Sequence, residues 1–287
     1  GAFVLNVQDL YPRTPMDLGA ISNRWLVRWA ETLERFIYRK AGAVTVHSVG
    51  NRDHVAEVLG RGDKVHVVHN WVDLDRLQPG PRENAWRREH SLGGLFVVSF
   101  AGTMGFAQGL EYVIEAAKTL RDREGIMFVL AGDGVVRPAI EESVSREALH
   151  NVRLFPTQAE DEYIQLLQAS DACLVTLHKD LATPVVPGKL QSIMAAGRPA
   201  ICMANPASDA RKIIEEADCG YFIPAGAPGG LAEAVVSLFN DRALAERMGG
   251  SGRRHAEAHF GRSKSTERYA SLLAALGGTS PTAGERQ

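Results

Sequence analysis

Cysteine is scarce. The 287-residue chain has only Cys173, Cys202 and Cys219, an odd number with two in apolar runs. That argues against a disulfide framework and for buried free thiols in a reducing compartment. No run approaches the roughly 20 apolar residues a bilayer span needs, and no stretch reads as a secretory signal. A cytoplasmic protein is the expectation. Neither charge dominates: 32 Lys and Arg face 34 Asp and Glu, for a net −2, so bulk charge gives no footprint for nucleic acid. The P-loop pattern, a nucleophile elbow, a Ser-His-Asp order and metal-ligand spacing are all missing. His66 and His69, two of nine scattered His, read as structural rather than as ligands. An initiator Met is missing too. The first residues, Gly1-Ala-Phe-Val-Leu, read as the interior of a buried strand, so further sequence is expected before Gly1.

What is present is a soluble globular composition, 45% hydrophobic and 23% charged, long enough for two domains. Short apolar runs alternate with helical patterns: strands over 3–7, 43–47 and 64–68, then 96–101, 126–131, 152–155, 172–177, 200–203 and 219–223. Such alternation predicts parallel α/β sheets. Pro79-Gly80-Pro81 marks a linker over 78–90 between a first unit, 1–77, and a second, 91–260. A polar tail, 279–287, is expected to be disordered. The helix from Asn23 to Lys40 carries Trp25, Trp29, Leu33, Phe36 and Ile37 on one face beside several Arg. That face is expected to pack on the sheet, the alternative being an anionic membrane surface.

In a doubly wound sheet, ligands sit at the carboxyl ends of strands. Three loops of the second unit converge there: Gly102 to Gly109, Gly132 to Gly134, and Pro184 to Lys189. A strand, a Gly-rich turn and a helix start offer free amides and a positive helix end to a phosphate. The turn is equally readable as a βα turn that needs Gly for backbone reasons. The spacing of Gly102, Gly105 and Gly109 does not fit the dinucleotide pattern G-x-G-x-x-G. Lys189, at a helix start, could neutralise a departing phosphate or be a solvated surface Lys.

Several motifs carry a resemblance: Asn6-Val-Gln-Asp-Leu-Tyr-Pro12, His69-Asn-Trp-Val-Asp73, Phe100-Ala-Gly-Thr-Met-Gly-Phe-Ala-Gln-Gly-Leu110, Leu130-Ala-Gly-Asp-Gly134, Ala169-Ser-Asp-Ala-Cys-Leu-Val175, Val186-Pro-Gly-Lys-Leu190 and Met194-Ala-Ala-Gly-Arg-Pro199. From Gly1 to about Leu273 the chain resembles the retaining family 4 glycosyltransferases of the GT-B group. It is most similar to the branch that builds capsule, O-antigen and colanic-acid polysaccharides. The resemblance implies two Rossmann-like doubly wound domains across a cleft, the N-terminal one incomplete, with a C-terminal helix (about 264–276) returning to it. It implies sugar transfer with retention from a nucleoside-diphosphate sugar to a saccharide or lipid-linked acceptor at the inner membrane face, without metal or cofactor.

By the same resemblance the donor meets Gly102, Thr103, Gly105 and Gln108 in the first loop, and Gly132, Gly134 and Phe155 beyond it. Pro187, Gly188, Leu190 and Ser192 complete that side. Lys189 stabilises the leaving group, and Asp9 faces the cleft from the first unit. The sequence departs from the family where Pro184 and Ser192 stand for two Glu, the later of which holds the ribose. Thr103 and Gln108 replace the basic residues of the first loop, and Gln8-Asp9 stands near the cleft His of other members. Two other readings remain open: a non-catalytic nucleotide-sugar-binding chain, and a nucleotide-sugar epimerase. The second lacks the His and carboxylate pattern of proton shuttling.

Overall fold

The computed structural model describes residues 3–17, 19, 21–184 and 186–277; the expected tail, 279–287, lies outside them. In chain order the elements are β1 (Val4–Val7), α1 (Arg13–Asp17), α2 (Arg24–Lys40), β2 (Ala43–Val46), α3 (Val49–Leu59), β3 (Val65–Val67), α4 (Ala85–Glu89), β4 (Phe96–Ala101), α5 (Leu110–Thr119), β5 (Ile126–Ala131), α6 (Arg137–Arg146), β6 (Val152–Phe155), α7 (Glu160–Ala169), β7 (Ala172–Thr176), α8 (Gly188–Ala195), β8 (Ala200–Ala204), α9 (Asp209–Ala217), β9 (Gly220–Pro224), α10 (Pro228–Asn240), α11 (Arg242–His259) and α12 (Arg262–Gly277). A single 3-10 turn, Phe106–Gln108, lies between β4 and α5.

Two parallel sheets result. The first has the order β1-β2-β3 and the second β6-β5-β4-β7-β8-β9. In the second sheet the chain winds outward from β4 to β6, then returns to place β7 on the other side of β4. Helices therefore cover both faces, and a crevice opens where the direction reverses, at the carboxyl ends of β4 and β7. Burial on both faces explains the near-continuous apolar composition of these strands. Phe96, Val98, Phe100, Phe128 and Leu130 pack with Leu110, Val113, Leu231 and Val235 of α5 and α10 on one face. Cys173, Val175 and Cys202 pack with Leu190, Met194 and Ile214 of α8 and α9 on the other.

Local chemistry sets the helix ends. Asn23 Oδ1 caps α2 through Trp25 N at 3.0 Å, and Ser48 Oγ caps α3 through Asn51 N at 3.2 Å; both side chains satisfy amides that a helix start leaves orphaned. Within the expected linker, α4 places Trp86 against Val97, Leu166 and Val129, so this stretch shares the core of the second sheet. The helix α12 returns to the first sheet. Ser265 Oγ donates to the His69 carbonyl at 2.9 Å, and the Tyr269 hydroxyl lies 3.3 Å from Thr45 Oγ1 of β2.

The expectation that α2 lays its aromatic face on the sheet is not met. Trp25, Trp29, Leu33 and Phe36 are exposed, and the residue α2 buries is Tyr38. Tyr38, Leu10, Val55 and Leu59 pack over Val44 and Val46, but the sheet ends at β1, and Leu26, Trp29 and Leu33 line an open cavity with Leu5 and Val7 instead of a packed contact.

At the opposite end of the second sheet, Asp171 gathers a buried charge cluster. Its side chain is 1% exposed and takes Arg87 Nη2 at 2.7 Å and Arg82 Nη1 at 3.0 Å, together with Arg242 and the Val97 amide at 2.7 Å. It thereby ties the connection from the first unit, α4 and the start of α11 to the beginnings of β4 and β7. Removing one partner of a buried pair leaves the others unpaired, which costs about 3–5 kcal/mol. Asp171→Ala is therefore expected to lower stability by about that amount in a denaturant titration; a loss below about 1 kcal/mol, the range of surface pairs, would contradict this reading.

Candidate functional site

The cleft between the sheets is built from strand ends. From the first unit come Gln8 and Asp9 after β1, His47 after β2 and Asn70 after β3; from the second come Gln108, Pro187, Gly188 and Lys189. Together they line a cavity of about 450 Å³. Several hydrogen bonds cross between the units. The Gly50 amide donates to Asp209 Oδ2 at 2.6 Å, and Thr183 Oγ1 donates to Asp17 Oδ2 at 2.6 Å.

Lys189 is the charge at the centre. Its Nζ donates to Gln108 Oε1 at 2.9 Å and stands 3.8 Å from the centroid of the buried Phe100 ring. No carboxylate pairs with it among the described residues. Burial alone pulls its pKa from 10.5 down to about 7, because enclosure disfavours the charged form. Gly102 makes room for it: a Cβ there would lie 2.7 Å from Lys189 Cε, and its φ of +137° already favours glycine. Gly132 is required for a different approach, since a Cβ at that residue would stand 1.9 Å from the Gly102 carbonyl oxygen. The second Gly-rich loop is thus packed against the backbone of the first.

That packing decides which amides are free. The Gly102 amide donates to the Ala131 carbonyl at 2.9 Å and the Met104 amide to Asp133 at 2.7 Å. The cradle expected from Gly102 to Gly105 is therefore narrower. Among the described residues, the amides of Thr103 and Gly105 make no hydrogen bond, nor does that of Gly188 at the start of α8, where the helix end is positive.

The other expected residues are distributed unevenly. Gln108 touches Lys189, and Gly134 closes on Met104, where a Cβ would stand 2.4 Å from the carbonyl oxygen. Leu190 is fully buried in the core, so its side chain does not reach the cleft. Phe155 turns toward Trp86 and His90, with ring centroids 5.2 and 4.8 Å away, while its carbonyl accepts the Gly132 amide at 3.1 Å. Both residues act through packing. Ser192 lies near the Tyr163 hydroxyl, whose burial pushes its pKa up to about 12.

His47 and Asn70 did not figure among the expected site residues. The signal that finds them is their place just after β2 and β3, since the carboxyl-end rule applies to both sheets. His47 is buried, its Nε2 lies 2.9 Å from the Gln8 carbonyl, and burial lowers its pKa. The neutral ring therefore prevails near neutrality. Asp9 is exposed to the cleft. Among the described residues no group of three or more His, Cys, Asp or Glu is placed to hold a metal ion.

An enclosed ammonium facing unpartnered amides suits a diphosphate, so Lys189→Met has opposite effects on binding and stability. A charge-assisted contact is worth about 1.5–3 kcal/mol, so calorimetry should show nucleoside-diphosphate affinity falling roughly 10- to 100-fold. The fold should gain, because Lys189 resists protonation in the native state. Its cost to the fold grows as pH falls from 10.5 toward 7, since the unfolded chain binds the proton more readily. The Tm of Lys189→Met should exceed that of the unmodified chain at pH 7, and the gap should narrow as pH rises and close above about 10.5. Unchanged affinity, or a lower Tm at pH 7, would contradict this role.

Comparison with known proteins bears on the fold and the family. The sequence model of the family described as "Glycosyl transferases group 1" matches residues 96–241, half of the chain. Among curated relatives, the chain is 28% identical over 220 residues to the putative colanic acid biosynthesis glycosyl transferase WcaI of Escherichia coli (strain K12), covering 74% of this chain and 53% of the relative. It is 25% identical over 244 residues to the probable glycosyltransferase WbjE of Pseudomonas aeruginosa, covering 82% and 59%. The chain thus spans under two thirds of the length of these relatives. Among solved structures, Anabaena Alr3699/HepE in complex with UDP superposes with a TM-score of 0.81 at 18% identity, covering 96% of this chain and 72% of that one. Sucrose-phosphate synthase from Thermosynechococcus elongatus superposes at 0.77, covering 96% and 68%. The fold is that of the GT-B glycosyltransferases, and the chain belongs to the glycosyl transferases group 1 family.

Proposed function

We propose that the chain transfers a sugar, with retention, from a nucleoside-diphosphate sugar to a saccharide or lipid-linked saccharide acceptor at the inner membrane face. The role is in cell-surface polysaccharide biosynthesis, within the family 4 branch. The enclosed Lys189 ammonium carries this reading. Among the described residues it has no counter-charge, and the amides of Thr103, Gly105 and Gly188 make no hydrogen bond, at the point where the strand order reverses. When the bond between the anomeric carbon and the diphosphate oxygen breaks, the electron pair leaves with the diphosphate. Lys189 and these amides meet the charge that develops there, which is where preorganised donors accelerate a reaction most. Asp9, across the cavity, accepts a hydrogen bond from the attacking acceptor hydroxyl. The relatives' names support the substrate class: WcaI is assigned to colanic acid biosynthesis, and Anabaena HepE has been solved with UDP-glucose.

A binding-only reading is kept open by the share of the relatives' length that this chain spans, 53% of WcaI and 59% of WbjE. The test is incubation of the full chain with a panel of nucleoside-diphosphate sugars and saccharide acceptors, following nucleoside-diphosphate release and the anomeric configuration of the product by NMR. The expected result is acceptor-dependent release and a product with the donor's configuration. Asp9→Asn should lower kcat by about 10²-fold or more with donor affinity little changed. An inverted product would overturn retention, and donor binding without release would establish the binding-only reading.

A further inference from the structure

At the end of the second sheet away from the crevice, beside the starts of β7 and β8, lies another cavity. It measures about 360 Å³ and is bounded by Pro79 and Arg82 of the connection from the first unit, by the turn Gly197-Arg198-Pro199 and by one side of α11. Close backbone packing fixes that turn. A Cβ at Gly249 of α11 would stand 2.2 Å from the Gly197 carbonyl oxygen, and one at Gly197 would stand 3.1 Å from the Pro79 ring. A cavity of this size takes a small ligand, and walls that cannot relax hold their polar groups in place before anything binds.

The walls carry more positive than negative charge. Arg82, Arg198, Arg253 and Arg254 line the cavity, against Asp171 and Glu246. Asp171 is already shared among Arg82, Arg87 and Arg242, and Glu246 pairs with Arg82. Arg253 has its own carboxylate, Glu257, at 2.6 Å. Arg198 and Arg254 have none among the described residues. Arg198 meets only carbonyls, with Nη2 donating to Gly80 at 2.6 Å and to Gln168 at 2.5 Å and Nε to Leu167 at 3.4 Å. Its Nη1 makes no hydrogen bond among the described residues. Arg254 reaches the Ser251 hydroxyl of its own helix at 2.9 Å. Burial lowers the Arg198 pKa, and Arg82 and Arg87 disfavour its charge further, while Cys173 and Asp171 act in the opposite direction. A guanidinium stays protonated even so. It is a charge held at a cost, which an arriving anion would offset.

Arginine is the side chain best matched to a tetrahedral oxyanion, because its planar fork presents two parallel N–H donors to phosphate oxygens. Two such groups without a counter-charge, on the walls of one cavity, suit a dianion. We infer that this cavity binds phosphate, either inorganic or carried as a monoester of a small molecule, through Arg198 and Arg254. The site lies at the strand starts, outside the residues assigned to donor binding, and the inference stands whether or not transfer occurs.

The experiment is calorimetric titration of the full chain with inorganic phosphate and, separately, with glycerol 3-phosphate. Both should bind saturably, and Arg254→Gln should weaken that binding roughly tenfold or more, the range of one charge-assisted contact. Arg254 is exposed and bonds only within α11, so this variant should keep the fold. Lys189→Met removes the charge of the donor crevice and should leave the affinity of this site unchanged, which separates failure here from failure of the donor site. Tighter binding of glycerol 3-phosphate would identify a phosphomonoester as the ligand class, and equal or weaker binding would identify inorganic phosphate. No saturable binding, an affinity that Arg254→Gln leaves unchanged, or binding abolished by Lys189→Met would each overturn the inference.

Discussion

A cation removed from water without a counter-charge is unstable until an anion arrives, and the second sheet is arranged around such a cation. Lys189 lies against Phe100 and reaches only a neutral oxygen of Gln108. The acids of the cleft that might have quenched it stand elsewhere: Asp9 opens toward solvent, and Asp17 and Asp209 are engaged by Thr183 and the Gly50 amide. Desolvation is a cost to the empty protein and a source of affinity for a diphosphate. A charge held in an enclosed site interacts more strongly than the same charge in water.

The rest of the sheet can be read as what that arrangement needs. Gly102 lacks a side chain where Lys189 passes, and Gly132 lacks one where the second loop packs on the first. The backbone bonds from Gly102 to Ala131 and from Met104 to Asp133 fix the loop, so that the Thr103 and Gly105 amides stay unpaired. At the other end of β4 and β7, Asp171 and its three Arg partners hold the strand starts together. The strand ends are thereby free to carry the loops. Rigidity at one end and open donors at the other is the division that places ligands at carboxyl ends.

Much of this was readable from residues alone, and the misses share a cause. Strand runs such as Phe96 to Ala101 declare themselves by composition, because burial on both faces leaves no polar alternation to confuse. Caps at Asn23 and Ser48 are local chemistry, and so is the left-handed Gly197 after α8. What depends on a distant neighbour was not visible. The sequence cannot reveal that the Ala131 carbonyl takes the Gly102 amide, or that Asp209 takes the Gly50 amide. The short helix α1 and the 3-10 turn are too brief to carry a period. For α2 the apolar stripe was found correctly, but which way it faces depends on how much sheet lies beneath it. The first sheet ends at β1, and the stripe there borders a cavity.

The central claim is that Lys189 waits for a diphosphate in a partly deprotonated state. Calorimetric titration of nucleoside diphosphate at pH 8, repeated in buffers of different ionisation enthalpy, measures the protons taken up on binding. With a free-state pKa of about 7, the account predicts uptake approaching one proton, because the bound anion restores the ammonium. Binding with no proton uptake would contradict it.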